Sequence, residues 1–273
     1  MAKPTVSIIT AAWTRAQYIG IGIQSAIDQT FEDWELIIAD DGSPDNTAEV
    51  VREWQKKDKR IKYIRLEHVG RISVVSNTAL RAAQGEFVAV LDDDDYWIDN
   101  RKLEKQVAFL RGHLDYIACG GWFTTVDASG NETAKLRKPQ QDEAIRRVML
   151  SANGIANSTS MFRRKEAGLY DESLAQFADW DFFLRLGKLG KLYNFPEYFL
   201  AYRMWHQGSS FVNQRKNAEA AIVIVERYRD DYPGYVKAII LARIYLVYSY
   251  LPSWIRRGLN AFLSRLKKII FSK

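Results

Sequence analysis

Short runs of aliphatic and β-branched residues alternate along the chain with longer stretches whose apolar positions recur every three or four residues. Residues 6–10 (VSIIT) form the first run and predict a strand. A helical pattern follows over residues 18–29, and Trp34–Asp40 (WELIIAD) predicts a second strand. Ser43 stands as an N-cap with Pro44 after it, which predicts that a helix begins there. Residues 61–67 (IKYIRLE) predict a third strand, 73–85 a helix stopped by Gly85, and 86–92 (EFVAVLD) a fourth strand. The alternation predicts an α/β fold with a parallel or mainly parallel central sheet flanked by helices.

Beyond residue 100 the pattern loosens. Leu103, Val107 and Leu110 keep helical spacing, and residues 116–135 predict a hairpin turning at 127–131. Helices are predicted near 143–150 and 179–190, and a strand over 191–206. No internal repeat or low-complexity linker interrupts this stretch, so one domain runs through about residue 212.

Composition and charge narrow the class. Hydrophobic content of 47% and charged content of 26% are ordinary for a folded protein. A single cysteine, Cys119, excludes an intrachain disulfide framework and a cysteine-based metal site, and reads as a small buried hydrophobe. The opening MAKPTVSIIT lacks the apolar core of a signal peptide, so no cleaved leader is expected. The charge-free stretch 244–255 has 12 residues and contains Pro252, too short for a spanning helix of about 20 residues. Net charge is +6, and from Tyr232 to Lys273 there are eight Lys or Arg and no Asp or Glu.

Three polar clusters fall at predicted strand ends, where open α/β sheets bind ligands: AAWTR (11–15), DDGSPDNT (40–47) and DDDD (92–95). Four adjacent carboxylates after a buried strand repel one another, and a bound cation would offset that repulsion. Hard cations such as Mg²⁺ take one or two carboxylates and complete their shell with phosphate and water. The phosphate-binding loops of dinucleotide and P-loop sites are missing, and the three histidines are scattered.

Taken in order, VSIITAAWTRAQYI, WELIIADDGSPDNT, GRISVVSNTALRAAQGEFVAVLDDDDYW, STSMFRRKEAGLYDE and ADWDFFLRLG resemble glycosyltransferase family 2, the inverting nucleotide-sugar enzymes of GT-A fold. The resemblance covers roughly residues 4–212. It implies a Rossmann-like GT-A catalytic domain over 1–212, with about 1–100 as the nucleotide-binding half and 101–212 as the acceptor-side half. It further implies nucleotide contacts at Ala11, Ala12, Arg15, Asp40, Asp41, Gly70, Asn77, Asp92 and Asp93. On the register Leu-Asp-x-Asp-Asp, Asp92 and Asp94 hold a divalent cation, Mn²⁺ or Mg²⁺, with Asp94 the more direct ligand and His206 nearby. Asp179, in ADWD, matches the base that activates the acceptor. Two positions depart from the family pattern: Ser76 stands where Arg is usual, and Ala178 where Glu usually precedes the base. Residues 157–164 (NSTSMFRR) line the acceptor side on this resemblance; on their own they read equally as a strand with a polar turn.

The chemistry implied is transfer from a nucleotide-diphosphate sugar, UDP favoured, to a hydroxyl of a glycan or lipid-linked acceptor in surface-polysaccharide synthesis. A base takes the hydroxyl proton while positive charge faces the departing diphosphate. The alternatives are nucleotidyl transfer, and sugar-nucleotide or glycan binding without turnover, which Ala178 and Ser76 raise.

Residues 213–273 predict a helical C-terminal region. Leu259, Phe262, Leu263, Leu266, Ile269 and Ile270 form one stripe, with Arg256, Arg257, Lys267 and Lys268 mostly elsewhere. Such a basic amphipathic helix suits an anionic membrane surface, which predicts peripheral attachment through 237–273 at the inner face of the cell membrane. Packing on the catalytic domain, or on another subunit in an oligomer, is the alternative. Nucleic acid is not expected as a partner, because the excess charge is confined to this striped tail while the predicted cleft is acidic.

Overall fold

Each uninterrupted hydrophobic run of the first half becomes a strand buried on both faces. In chain order the elements are β1 (Val6–Ala12), α1 (Ile19–Ile27), β2 (Trp34–Asp40), α2 (Thr47–Lys57), β3 (Ile61–Arg65), α3 (Ile72–Ala82) and β4 (Phe87–Val90). The structure, a computed structural model, describes residues 3–204, 214–252, 255 and 256. Alternate side chains of each run enter opposite cores. Ile8, Leu36, Ile38, Phe87 and Ala89 join one cluster with α1 and its neighbours, while Ile9, Ile37, Val88 and Val90 join the other beneath α3. Pairing of β2 with β3 and β1, and of β1 with β4, is parallel, as the sequence predicts for this half.

The second half changes the sheet's character. It contains β5 (Tyr96–Trp97), α4 (Lys102–Gly112), β6 (Tyr116–Val126), β7 (Glu132–Leu136) and α5 (Asp142–Val148). A 3₁₀ turn (Asn157–Thr159), β8 (Met161–Arg163), α6 (Arg164–Ala167), α7 (Ala178–Leu189) and β9 (Lys191–Arg203) follow. The nine-stranded sheet runs β3-β2-β1-β4-β8-β6-β9-β5, with β7 beside β6. The β4–β8, β6–β8, β6–β7 and β5–β9 pairs are antiparallel, and β6–β9 is parallel. The sheet as a whole is therefore mixed, because β8 is short and reverses the chain against β4.

The predicted helix start at Ser43 is corrected: α2 begins at Thr47. The Ser43 hydroxyl instead bonds the Asp40 carboxylate at 2.5 Å and receives the Thr14 N–H, so it serves the turn. Asp45 takes over locally, accepting both the N–H and the hydroxyl of Thr47.

Two further helices, α8 (Gln214–Arg227) and α9 (Tyr235–Tyr250), close over α7. Ile224, Val225, Tyr228, Tyr232, Ala238, Ile239 and Ala242 belong to the same core cluster as Phe182 and Leu186. Asp181, fully buried in α7, receives Arg185, Arg227 and Tyr228, locking α8 to the catalytic domain. The start of the predicted tail thus packs on the domain. Its basic stripe, residues 259–270, lies outside the described residues. Among those described, no helix is long and apolar enough to cross a membrane.

Candidate active site

Asp92 to Asp95 form a tight turn just past β4, the Asp95 N–H returning to the Asp92 carbonyl at 3.3 Å. The turn sends its four carboxylates in different directions. Asp92 accepts from Asn157 Nδ2 at 2.9 Å and Ser158 Oγ at 2.7 Å, both from the 3₁₀ turn. Asp93 accepts the Trp13 N–H at 2.8 Å and lies 3.4 Å from Arg15 Nε, which is also 3.6 Å from Asp94. Asp95 accepts the Arg203 N–H at 2.9 Å, and its buried Oδ2 has no hydrogen-bond partner among the described residues. The Arg203 guanidinium bonds the Asp94 carbonyl and the carbonyls of Asp127 and Ala128, fastening the turn to the β6–β7 hairpin.

Crowding raises the cost of ionisation here. Burial and the neighbouring Asp94 charge push the Asp92 carboxyl up to about 6, against the opposing bonds from Ser158 and Asn157. Burial, followed by the Asp94 charge, also raises Asp93, with Arg15 pulling the other way. Asp95 is raised by burial and by the charges of Asp92 and Asp94. An added positive charge would be strongly favoured at this turn.

Ala11 and Ala12 end β1, and the chain then bends through Thr14, a non-glycine residue at φ 54°. Such a conformation costs roughly 1–3 kcal/mol and survives only where its surroundings enforce it. Here it turns Arg15 towards the acidic cluster. Across the β1–β2 crevice, Asp40 is fully buried and accepts from Ser43, Tyr63 and Arg65. Asp41 accepts the N–H groups of Val69 and Gly70, and His68 Nδ1 lies 2.9 Å from its carboxylate and 3.2 Å from its backbone carbonyl. The His68 ring stacks on Trp13 at 4.0 Å between centroids, so this wall presents an aromatic face. Gly70 has φ +63°, a conformation that suits glycine where the chain turns over Asp41.

Asn77 ties two segments together. Its side chain, fully buried in α3, exchanges bonds with the Tyr170 backbone and donates to Glu172. Both the oxygen and the nitrogen of that side chain help tie α3 to the 170–172 segment.

Asp179 occupies the first turn of α7, just after Phe177 at φ 60°. The helix N-terminus favours a carboxylate there. Asn153 Nδ2 donates to its Oδ2 at 3.0 Å, and the Lys138 ammonium donates to the Asn153 carbonyl at 2.7 Å. Burial raises the Asp179 carboxyl, with Asn153 and Lys138 among the groups that resist the rise. The Asp179 charge also contributes to the elevation of Asp92, which puts the two carboxylates within electrostatic reach. Asn153 and Lys138 thus stand beside a carboxylate that lacks the usual neighbouring Glu.

Arg15 thus lies against Asp93 and Asp94, Asp92 shares their turn and feels the Asp179 charge, Asp41 holds the Gly70 N–H beyond β2, where Asp40 is buried, and Asn77 is bonded to the 170–172 segment. His206 lies outside the described residues. Among the described residues, no group of three or more His, Cys, Asp and Glu is arranged to hold a metal. One or two carboxylates from a crowded acidic turn, with phosphate and water completing the shell, is nonetheless what Mg²⁺ or Mn²⁺ requires, so the residues fit such an ion. Sequence reasoning missed Asn153, Lys138 and Arg203. The polar run NST at 157–159 was the signal for the partners of Asp92.

Comparison with known proteins adds the following. A family model described as "Glycosyl transferase family 2" matches residues 7–168. An uncharacterised glycosyltransferase of Methanocaldococcus jannaschii is 31% identical over 214 residues, 75% of this chain and 72% of that protein. The TuaG protein of Bacillus subtilis, named for teichuronic acid biosynthesis, is 43% identical over 108 residues, 40% of this chain and 42% of its own length. WfgD of Escherichia coli, named as a UDP-Glc:α-D-GlcNAc-diphosphoundecaprenol β-1,3-glucosyltransferase, is 42% identical over 105 residues, 38% of this chain and 40% of its own length. The match therefore spans under half of the latter two relatives. Among solved structures, Staphylococcus aureus TarS 1–349 in complex with UDP-GlcNAc aligns with TM-score 0.67 at 20% identity, covering 89% of this chain and 71% of that one. The mannosyltransferase PcManGT of Pyrobaculum calidifontis, in complex with GDP-Man and Mn²⁺, aligns with TM-score 0.63 at 16% identity, covering 97% and 81%. At such identities the likeness is one of fold: a curled mixed sheet flanked by helices.

Proposed function

The chain belongs to glycosyltransferase family 2, and from that membership we propose an inverting, cation-assisted transfer of a sugar from a UDP-sugar to a hydroxyl of a glycan or lipid-linked acceptor. The observation that carries this reading is an acidic turn at the end of β4 together with Asp179 at the start of α7, held by Asn153 and contributing its charge to the elevation of Asp92. Asp179 takes the acceptor hydroxyl proton as the oxygen attacks the anomeric carbon. Asn153 holds one of its oxygens, and Lys138 holds Asn153. Asp94, with Asp92, would hold the divalent ion, whose charge would stabilise the departing diphosphate. Arg15 keeps a permanent positive charge beside Asp93 and Asp94 and orders that side of the turn. Trp13, Asp40 and Asp41 border the nucleoside end of the crevice.

UDP as the nucleotide, and surface-polysaccharide synthesis as the setting, are supported by what TarS was solved with and by the names of TuaG and WfgD. Attachment to an anionic membrane at the inner face of the cell membrane is supported by the outward side of α9. There Val236, Ile240, Ile244, Val247 and Tyr250 are all more than half exposed, in a region without acidic residues. The test is a panel of UDP- and GDP-sugars with Mn²⁺ or Mg²⁺, glycan and lipid-diphosphate acceptors, and anomeric analysis of the product. Inverted product that requires the cation supports the reading; retained configuration, or full activity in excess chelator, overturns it.

A further inference from the structure

The first residue of α4 is a lysine with no exposed surface. Lysines are almost never fully buried unless paired, because a desolvated ammonium is costly. Among the described residues no carboxylate forms an ion pair with Lys102, although the Asp99 charge acts on it. Its Nζ donates to Gln106 Oε1 at 2.8 Å and faces the Trp97 ring at 4.0 Å. Cys119 lies close, and burial pushes the lysine down to about 7.

Both contacts lead to the same place. The Gln106 amide, also fully buried, donates to the Thr159 carbonyl at 2.9 Å. The Trp97 indole Nε1–H donates to the Ser158 carbonyl at 2.8 Å. Those carbonyls belong to the 3₁₀ turn whose Asn157 and Ser158 side chains grip the Asp92 carboxylate. Trp97 itself lies two residues beyond the acidic turn, so the lysine braces both sides of the Asp92 contact.

We propose that Lys102 is a positioning residue for the transfer site: through Gln106 and Trp97 it fixes the Asn157–Thr159 turn and thereby the orientation of Asp92. This rests on the reading of Asp92 as part of that site. The physical basis is asymmetric. Burying a lysine head group is itself costly, so an apolar side chain of similar size offsets the lost bond to Gln106, whereas losing the outer partner of a ligating group typically costs about 10–100-fold in affinity or activity. Lys102 is therefore expendable for folding and needed for turnover.

The test is Lys102→Met in the full chain, with Gln106→Met beside it to remove the amide arm alone. Hydrogen exchange of the Trp97 indole N–H, assigned with Trp97→Phe, reads the brace without any substrate. Lys102→Met should fold, melt no lower than wild type, accelerate that exchange about tenfold, and lower kcat about 10–100-fold with a smaller change in donor KM. Gln106→Met should reproduce the kcat loss. Unchanged exchange and turnover would overturn the proposal. So would failure to fold, or a melting point that falls along with the activity, since each makes the lysine a structural residue. Asp92→Asn assayed in parallel separates the two layers: if it is fully active, the reading of the acidic turn fails while the exchange data still report on the brace.

Discussion

Lys102→Met also makes a thermodynamic prediction whose size follows from the structure. The lysine's pKa is about 7 when folded, against an ordinary value of 10.5. Between those values the unfolded chain binds a proton that the folded chain refuses. Lowering the pH from 10.5 to 7 therefore penalises the wild type, and below 7 the penalty is constant. At 1.36 kcal/mol per pKa unit, the full span amounts to roughly 5 kcal/mol. Methionine has no such proton, and other titrating groups contribute about equally to both proteins. Urea unfolding of both at pH 9.5 and pH 7 should show the stability of Lys102→Met, relative to wild type, rising by about 3 kcal/mol towards pH 7. A difference independent of pH would refute the reasoning, because the folded lysine would then titrate like an exposed one.

Other consequences are as specific. Asp94→Ala should abolish cation-dependent transfer, whereas Asp93→Ala, which removes an oxygen held by Trp13 and Arg15, should reduce it less; initial rates across Mn²⁺ concentrations decide. Asp181→Leu should destabilise by about 3 kcal/mol in chemical unfolding, since it strips Arg185, Arg227 and Tyr228 of their common acceptor. Replacing Ile240, Ile244 and Val247 together by Gln should leave the melting point unchanged and reduce sedimentation with anionic liposomes; sedimentation equal to wild type would remove α9 from the membrane contact. Truncation at residue 237 is a poorer probe of that contact, because Ala238, Ile239 and Ala242 are core residues.

The parallel half of the fold was legible because β1, β2 and β4 are largely apolar runs, as burial on both faces requires. The antiparallel reversal at β8 was not, since three residues of strand carry too little periodicity to reveal their direction. Ser43 misled because a serine before a proline reads as a cap, yet the nearby Asp40 carboxylate offered its hydroxyl a better acceptor. Nothing in residue type marks Lys102 and Gln106 of α4 as core positions, and only the tertiary packing shows them fully buried. The acidic turn stood out by residue type and position, and Asp179 through the family resemblance. Their supports did not: Asn153 reaches Asp179 across 26 residues, and Asn157 reaches Asp92 across 65, distances at which sequence alone carries no contact information.

The central claim is that Asp179 removes the acceptor proton opposite the acidic turn. The direct measurement compares wild type with Asp179→Asn for nucleotide-sugar binding and for sugar transfer to the same acceptor. Donor binding within a few-fold of wild type, with transfer reduced by at least about 10²-fold, is the predicted result. Near-normal transfer by Asp179→Asn would contradict the account.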